Sequence, residues 1–385
     1  MNILIVCPRL CHGGAERVAV CLANGFIDRG HHVRFMADLF EEQTYTLDNR
    51  VKLVNLISTN DSKIKKWGGA LKNVRKESKK DKPDVIIGIM DLCSLVSRLA
   101  TLGLGVPVVN TVHSAFDRRD SKPLPWTDTF SRYYINRIYD YVTVLTMADK
   151  KVIGKRLKNV TVIPNPLAIN PIKNVPCKEK IFLAAGRVDN WHVKGFDLLI
   201  KAWGKVCKDN VNDSFKDWKL HIAGVWRKNS TKQYLNDIAK ESGVENRIEF
   251  LGFVEDMQSQ YQKSSVFVLS SRYEGFGLVL IEAMSQGCAP IACDFKGRQR
   301  EILSPLQGDS LKVNGYSDHG IEVTENGILC EPENVDALAS AMKKMIEDNE
   351  YRNKVQKNAI ERSRFYDTEH TMNRWEKYLE SIIKK

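Results

Sequence analysis

Short apolar runs alternate with segments of helical periodicity along most of the chain. Asn2 to Cys7 is a continuous apolar stretch of the kind buried on both faces of a parallel sheet. A glycine turn follows, and then Val18, Leu22 and Phe26 recur every fourth residue until Gly30. Further strands are predicted at 32–37, 51–56, 84–90, 106–112, 141–145 and 160–163, with helices or loops between most of them. That alternation predicts a doubly wound parallel α/β sheet. Pro164-Asn165-Pro166 ends the series, and Leu167 to Lys178 carries two further prolines and few periodic apolar positions, so the domain boundary falls here. A second series opens at Ile181 to Ala185, traces a helix through Leu198, Leu199, Ala202 and Val206, and continues with strands at 220–223, 248–250, 266–269 and 290–293. Two amphipathic helices close the chain, one over 334–348 and one broken near Phe365 and Tyr366. The expected organisation is one domain over residues 1–166, a second over 167–365 and a terminal helix over 366–385.

A chain of 385 residues with 43% hydrophobic content fits two packed interiors. No apolar run approaches the ~20 residues of a membrane span, and the N-terminus lacks a signal-peptide pattern, so a cytoplasmic protein is expected. The nine cysteines include no CxxC pair, which points to free buried thiols. Asp-x-Asp is absent, which weakens any proposal of a metal carrying a diphosphate; none is expected. The net charge of +11 asks for an anionic partner: nucleotide diphosphate, phospholipid or nucleic acid. Between Asp61 and Lys82 nine basic residues stand against three acidic ones, and in 116–141 Trp126, Phe130, Tyr133 and Tyr134 interleave with Arg118, Arg119, Lys122, Arg132 and Arg137. Such segments suit a bilayer surface or stacked bases, or are simply helices with one solvated face.

The most informative stretch is Ser270 to Gly287, which reads as strand end, loop and helix. Gly275 and Gly277 remove the Cβ atoms that would hold a ligand off the backbone, and the amides from Gly277 to Leu280 open a helix where a phosphate is well placed. Glu274 and Glu282 suit hydroxyl groups better than an anion. A glycosidase would also use two carboxylates, but it has no diphosphate for these glycines to hold. Arg187 and Lys194 flank the first strand end of the second series, where cations would stabilise a departing diphosphate. In the first series the Gly13-Gly14 turn, with His12 beside it, lets a ligand approach a helix N-terminus, and His113 ends the strand over 106–112 at the ligand edge. No G-x-G-x-x-G follows the first strand, which counts against a dinucleotide. Gly224 and Gly252 end two strands at the same kind of edge.

EGFGLVLIEAMSQG, with seven residues between its two glutamates, resembles the signature of the family 4 retaining glycosyltransferases, and GGAER is similar to the family's N-terminal turn. The resemblance covers nearly the whole chain. It implies two Rossmann-like α/β domains facing a cleft, the GT-B fold, with the last helix crossing back onto the first domain. It also implies transfer of a sugar from a UDP-sugar, with retention, to a hydroxyl of a glycan or lipid-linked glycan, in synthesis of a surface polysaccharide or glycoconjugate. Glu274 and His113 would orient the donor sugar, Arg187 and Lys194 would stabilise the leaving diphosphate, and Gly14 with Gly275, Phe276, Gly277 and Leu278 would bind its oxygens. Glu282 would hold the ribose, the main chain of Phe253 and Val254, just past Gly252, the nucleobase, and Gly224 would lie on the donor side. Gly13 and His12 would lie on the acceptor side. The basic segments would then contact an anionic membrane at its inner face, and nucleic acid is not expected. The glycine-rich loop that the family places after the 290–293 strand is replaced by Phe295-Lys296-Gly297-Arg298, with Glu301-Ile302 kept, and residues 304–322 read as an insertion. Three other readings stay open: a sugar-nucleotide epimerase of the same architecture, a polyglucan synthase or phosphorylase-like enzyme, and a non-catalytic polyanion-binding protein.

Overall fold

The computed structural model describes residues 1–11, 13–41, 43–58, 62–116, 134–208, 215–304 and 315–384. His12 and most of the aromatic and basic segment over 116–141 lie outside them. The chain forms two compact units: Met1–Ala168 together with Thr368–Lys385, and Ile169–Asp367.

The first unit is built on a seven-stranded parallel sheet in the order β3-β2-β1-β4-β5-β6-β7. These are β1 (Asn2–Arg9), β2 (His32–Asp38), β3 (Lys52–Asn55), β4 (Val85–Ile89), β5 (Val108–Thr111), β6 (Tyr141–Val144) and β7 (Val160–Val162). Ile3 to Val6 are wholly buried because β1 is central, paired with β2 on one side and β4 on the other. The helix Thr368–Ile383 belongs to this unit. Met372 fills the space that a Cβ on Gly25 would take, and Arg29 and His31 both reach Glu376, His31 at 2.8 Å.

The second unit repeats the plan in the order β10-β9-β8-β11-β12-β14-β13. Its strands are β8 (Glu179–Ala185), β9 (Lys219–Ala223), β10 (Ile248–Gly252), β11 (Ser264–Leu269), β12 (Ala289–Cys293), β13 (Ile321–Thr324) and β14 (Gly327–Cys330). Phe182, Trp203 and Trp218 anchor its core, with the Phe182 ring 5.6 and 4.7 Å from the two indoles. One edge departs from the sequence expectation: β13 and β14 form an antiparallel hairpin, so Ile321 and Glu322, read as insertion, are strand. The alternation of Ile321 and Val323 before Asn326-Gly327 is a hairpin signal of ordinary strength; the polar residues before it masked it.

The segment after Pro166 carries no regular element, as its prolines dictate, but it is pinned. Ile172 N–H donates to the Ser285 carbonyl (3.0 Å), and Lys178 Nζ donates to the carbonyls of Tyr261 (2.9 Å) and Gln286 (2.8 Å). No helix among the described residues is long and apolar enough to cross a membrane.

Candidate active site

In the second unit the strand order reverses between β8 and β11. Ligands of open α/β sheets lie beyond the strand carboxyl ends at such a point. The chain leaves β8 through Gly186, Arg187, a 3-10 turn and the short helical turn Trp191–Lys194; it leaves β11 through Ser270 to Gly277. The two loops are stitched together. Ser270 Oγ donates to the Lys194 carbonyl (2.9 Å), Arg272 N–H donates to the Val193 carbonyl (2.9 Å), and the Arg272 guanidinium grips Asp197 in two parallel bonds of 2.7 and 2.8 Å. A Cβ on Gly195, whose φ is +66°, would stand 2.0 Å from the Ser270 carbonyl oxygen. Only glycine lets the loops approach this closely.

That stitching sets the polar groups. Lys194 Nζ meets Glu274 Oε1 at 2.5 Å, and Ser271 Oγ donates to the same oxygen at 2.9 Å. Both charged side chains are largely buried, so the pair is only weakly screened by water. Arg187 is exposed and has no ion-pair partner among the described residues. Gly277 has φ +102° and caps the helix Leu278–Ser285. Its carbonyl accepts from Leu280 N–H (2.9 Å) and Ile281 N–H (3.4 Å), so the amides left for a ligand are those of Gly277, Leu278 and Val279, one fewer than the sequence suggested. Phe276 is buried against Tyr366, with ring centroids 5.4 Å apart, so its backbone and not its ring is the part left to serve a ligand. Glu282 is buried on the same helix and accepts from the Tyr261 hydroxyl (3.2 Å). A Cβ on Gly224 would lie 1.7 Å from the Gly186 carbonyl oxygen, which ties the end of β9 to that of β8. Phe253, just past β10, is 69% exposed, and Val254 is half-buried.

Beyond β12, Phe295 packs edge-on against Tyr273 (5.3 Å), the neighbour of Glu274. Arg300 holds this turn between Asp294 (2.9 Å) and Glu322 (2.5 Å), both buried; burial raises the Asp294 carboxyl although Arg300 opposes it.

The first unit has its own reversal, between β1 and β4. Gly13 precedes the helix Gly14–Asp28, and a Cβ there would stand 1.8 Å from Glu16 Oε2. The room at Gly13 is therefore filled by the buried Glu16 carboxylate, held by Arg9 Nε at 3.2 Å. Gly14, one residue on, is exposed. His113 follows β5. Thr111 Oγ1 spends its proton on the Gly88 carbonyl (2.8 Å), so the 2.9 Å contact with His113 requires Nε2–H to donate, leaving Nδ1 as the acceptor of the ring. Burial pushes this imidazole down to about 4, with Asn165 opposing. Met90, at the end of β4, holds φ +67°, a strained conformation for a side chain of its size.

Sequence reasoning missed Asp197, Arg272, Tyr261, Lys178 and Glu16, all of which hold the site residues in place. Asp197 in the first helical turn after Gly195 and Arg272 two residues before Glu274 were visible signals. Tyr261 and Lys178 were not, since nothing local marks their long-range partners.

Residues 168–362 match the model of the glycosyl transferases group 1 family, and residues 12–170 match that of glycosyltransferase family 4. The chain belongs to these glycosyltransferases. A Campylobacter jejuni GalNAc-alpha-(1->4)-GalNAc-alpha-(1->3)-diNAcBac-PP-undecaprenol alpha-1,4-N-acetyl-D-galactosaminyltransferase is 27% identical over 99% of both chains. An uncharacterized glycosyltransferase of Haemophilus influenzae is 26% identical over 88% of both. Anabaena HepE, solved in complex with UDP, superposes with a TM-score of 0.76 at 19% identity, covering 99% of this chain and 100% of that one. The glycosyltransferase thus has the two-unit GT-B fold and is a hexosyltransferase-type enzyme.

Proposed function

We propose that this glycosyltransferase moves a hexose or N-acetylhexosamine from a UDP-sugar, with retention and without a metal, to a hydroxyl of a lipid-linked glycan. The observation that carries the reading is the Lys194–Glu274 pair beside the exposed Arg187 and the helix start at Gly277. It combines cations and amides for a diphosphate with a carboxylate for sugar hydroxyls. Lys194 passes from Glu274 to the diphosphate as the donor binds, releasing Glu274 to the sugar. Arg187 and Lys194 then oppose the charge that grows as the glycosidic bond breaks. His113 helps to orient the donor sugar, Glu282 serves the ribose, and the main chain of Phe253 and Val254 the base.

The Campylobacter relative, whose name specifies an undecaprenyl-diphosphate glycan, and HepE with its UDP support the acceptor and donor classes. The helix Lys63–Lys80, with Ile64 89% exposed among Lys65, Lys72, Lys76, Lys79 and Lys80, suits peripheral contact with an anionic bilayer. The test is turnover of UDP-sugars and GDP-sugars, with and without EDTA, onto polyprenyl-diphosphate-linked saccharides, the product anomer being read by NMR. Turnover of a UDP-sugar in EDTA to an axial product is expected; strict metal dependence, inversion, or epimerisation of donor alone would overturn it.

A further inference from the structure

Phe40 stands 57% exposed two residues beyond the end of β2, on the carboxyl edge of the first unit's sheet. A single exposed ring means little by itself. This one sits on a pinned loop: Phe40 N–H donates to Asp38 Oδ1 (3.0 Å), Leu39 N–H to Asn55 Oδ1 (3.3 Å), and the amides of Thr44 and Tyr45 to the Leu10 carbonyl (3.0 and 3.2 Å). The Tyr45 hydroxyl closes the loop onto the Gly13 carbonyl (3.1 Å). The next side chain, Glu41, places its carboxylate 3.6 Å from Arg9 Nη1, and Arg9 is itself fixed by Glu16 while remaining 44% exposed. An exposed phenyl ring and a carboxylate that meets Arg9 and accepts from Cys11 Sγ (3.6 Å) thus stand on consecutive residues of a loop tied to the Gly13-Gly14 turn.

That combination matches a pyranose. One face of the ring is a sheet of C–H groups that packs on an aromatic side chain, while its rim of hydroxyls needs both an acceptor and a donor. Resting on the glycosyltransferase reading above, we propose that Phe40, Glu41 and Arg9 form the subsite for the acceptor's terminal sugar. The ring face stacks on Phe40, Glu41 accepts from a hydroxyl, and Arg9 donates to a hydroxyl or an acetamido carbonyl.

The test compares full-length wild type with Phe40→Ala, Phe40→Trp and Glu41→Gln. Saturation-transfer NMR against a panel of methyl α-glycosides of glucose, galactose, N-acetylglucosamine and N-acetylgalactosamine reads sugar binding without turnover, and calorimetry reads UDP. Wild type is expected to saturate the C–H face of at least one glycoside. Phe40→Ala should weaken that binding at least tenfold, Glu41→Gln severalfold, and Phe40→Trp less than threefold, with the UDP Kd within twofold throughout. Saturation of no glycoside by wild type, equal binding by Phe40→Ala, or a joint loss of glycoside and UDP binding overturns the subsite. Failure of wild type to bind UDP at all would instead sink the donor reading, since the glycoside measurement does not depend on it.

Discussion

Lys194 Nζ and Glu274 Oε1 lie 2.5 Å apart, each at the end of a loop that the other loop holds in place. The pair is largely buried, so either charge alone would be left without its main partner. Lys194→Met and Glu274→Gln should each lower turnover at least tenfold, about 1.4 kcal/mol in barrier. Stability separates the contact from the chemistry: each single variant should lose about 1 to 3 kcal/mol, and the double variant should lose less than the sum. Urea denaturation of the four proteins measures that coupling, and strict additivity would show the pair to be energetically idle.

His113 gives a pH dependence with a definite sign. Its folded pKa is about 4, below the ordinary histidine value, so between that value and ordinary histidine titration the unfolded chain binds the extra proton. The contribution is present in full above the unfolded pKa and is lost as pH falls toward 4. Stability should therefore rise between pH 4 and 6.5, and His113→Gln should flatten the rise by about 1 to 3 kcal/mol. Turnover should show no inflection from this residue above pH 6, where it is already neutral.

How far the sequence carried this picture depends on the range of each cause. β1, β8 and β11 were legible because a strand buried on both faces must be apolar throughout, and the turn from β11 into the helix at Gly277 because its glycines and apolar spacing are local. The hairpin of β13 and β14 was missed, being an edge whose pairing partner is decided by β12. What fills the space at Gly13 was not legible, for a related reason. A glycine announces a close approach but not by what, and here the approaching group is the Glu16 carboxylate.

The contact between Gly13 and Glu16 is testable. In Gly13→Ala the new methyl meets the Glu16 carboxylate, so the variant should lose activity and about 2 kcal/mol or more of stability. Adding Glu16→Ala removes the obstacle and should recover stability toward that of Glu16→Ala alone. If thermal unfolding shows no recovery in the double variant, the room at Gly13 serves something else.

Gly224→Ala probes the floor of the site. With φ at +149° and the Gly186 carbonyl 1.7 Å from the new Cβ, the ends of β8 and β9 must separate. The variant should unfold several degrees lower and bind UDP at least tenfold more weakly, because Arg187 follows Gly186 directly. Unchanged UDP affinity by calorimetry in a folded Gly224→Ala protein would free the diphosphate site from this contact.

Lys178 supports the site from behind. Its ammonium is mostly buried, which lowers its pKa, and donates to the carbonyls of Tyr261 and Gln286, the second of these at the C-terminal end of the helix that begins at Gly277. A cation there satisfies carbonyls the helix leaves open and complements its dipole. Lys178→Met fits the same channel but leaves both carbonyls unbonded, at a cost of about 1 to 3 kcal/mol. Because Tyr261 also holds Glu282, the loss should reach the nucleotide, with UDP affinity falling while the acceptor KM stays near its wild-type value. A variant that loses stability yet binds UDP as tightly as wild type would confine Lys178 to the fold.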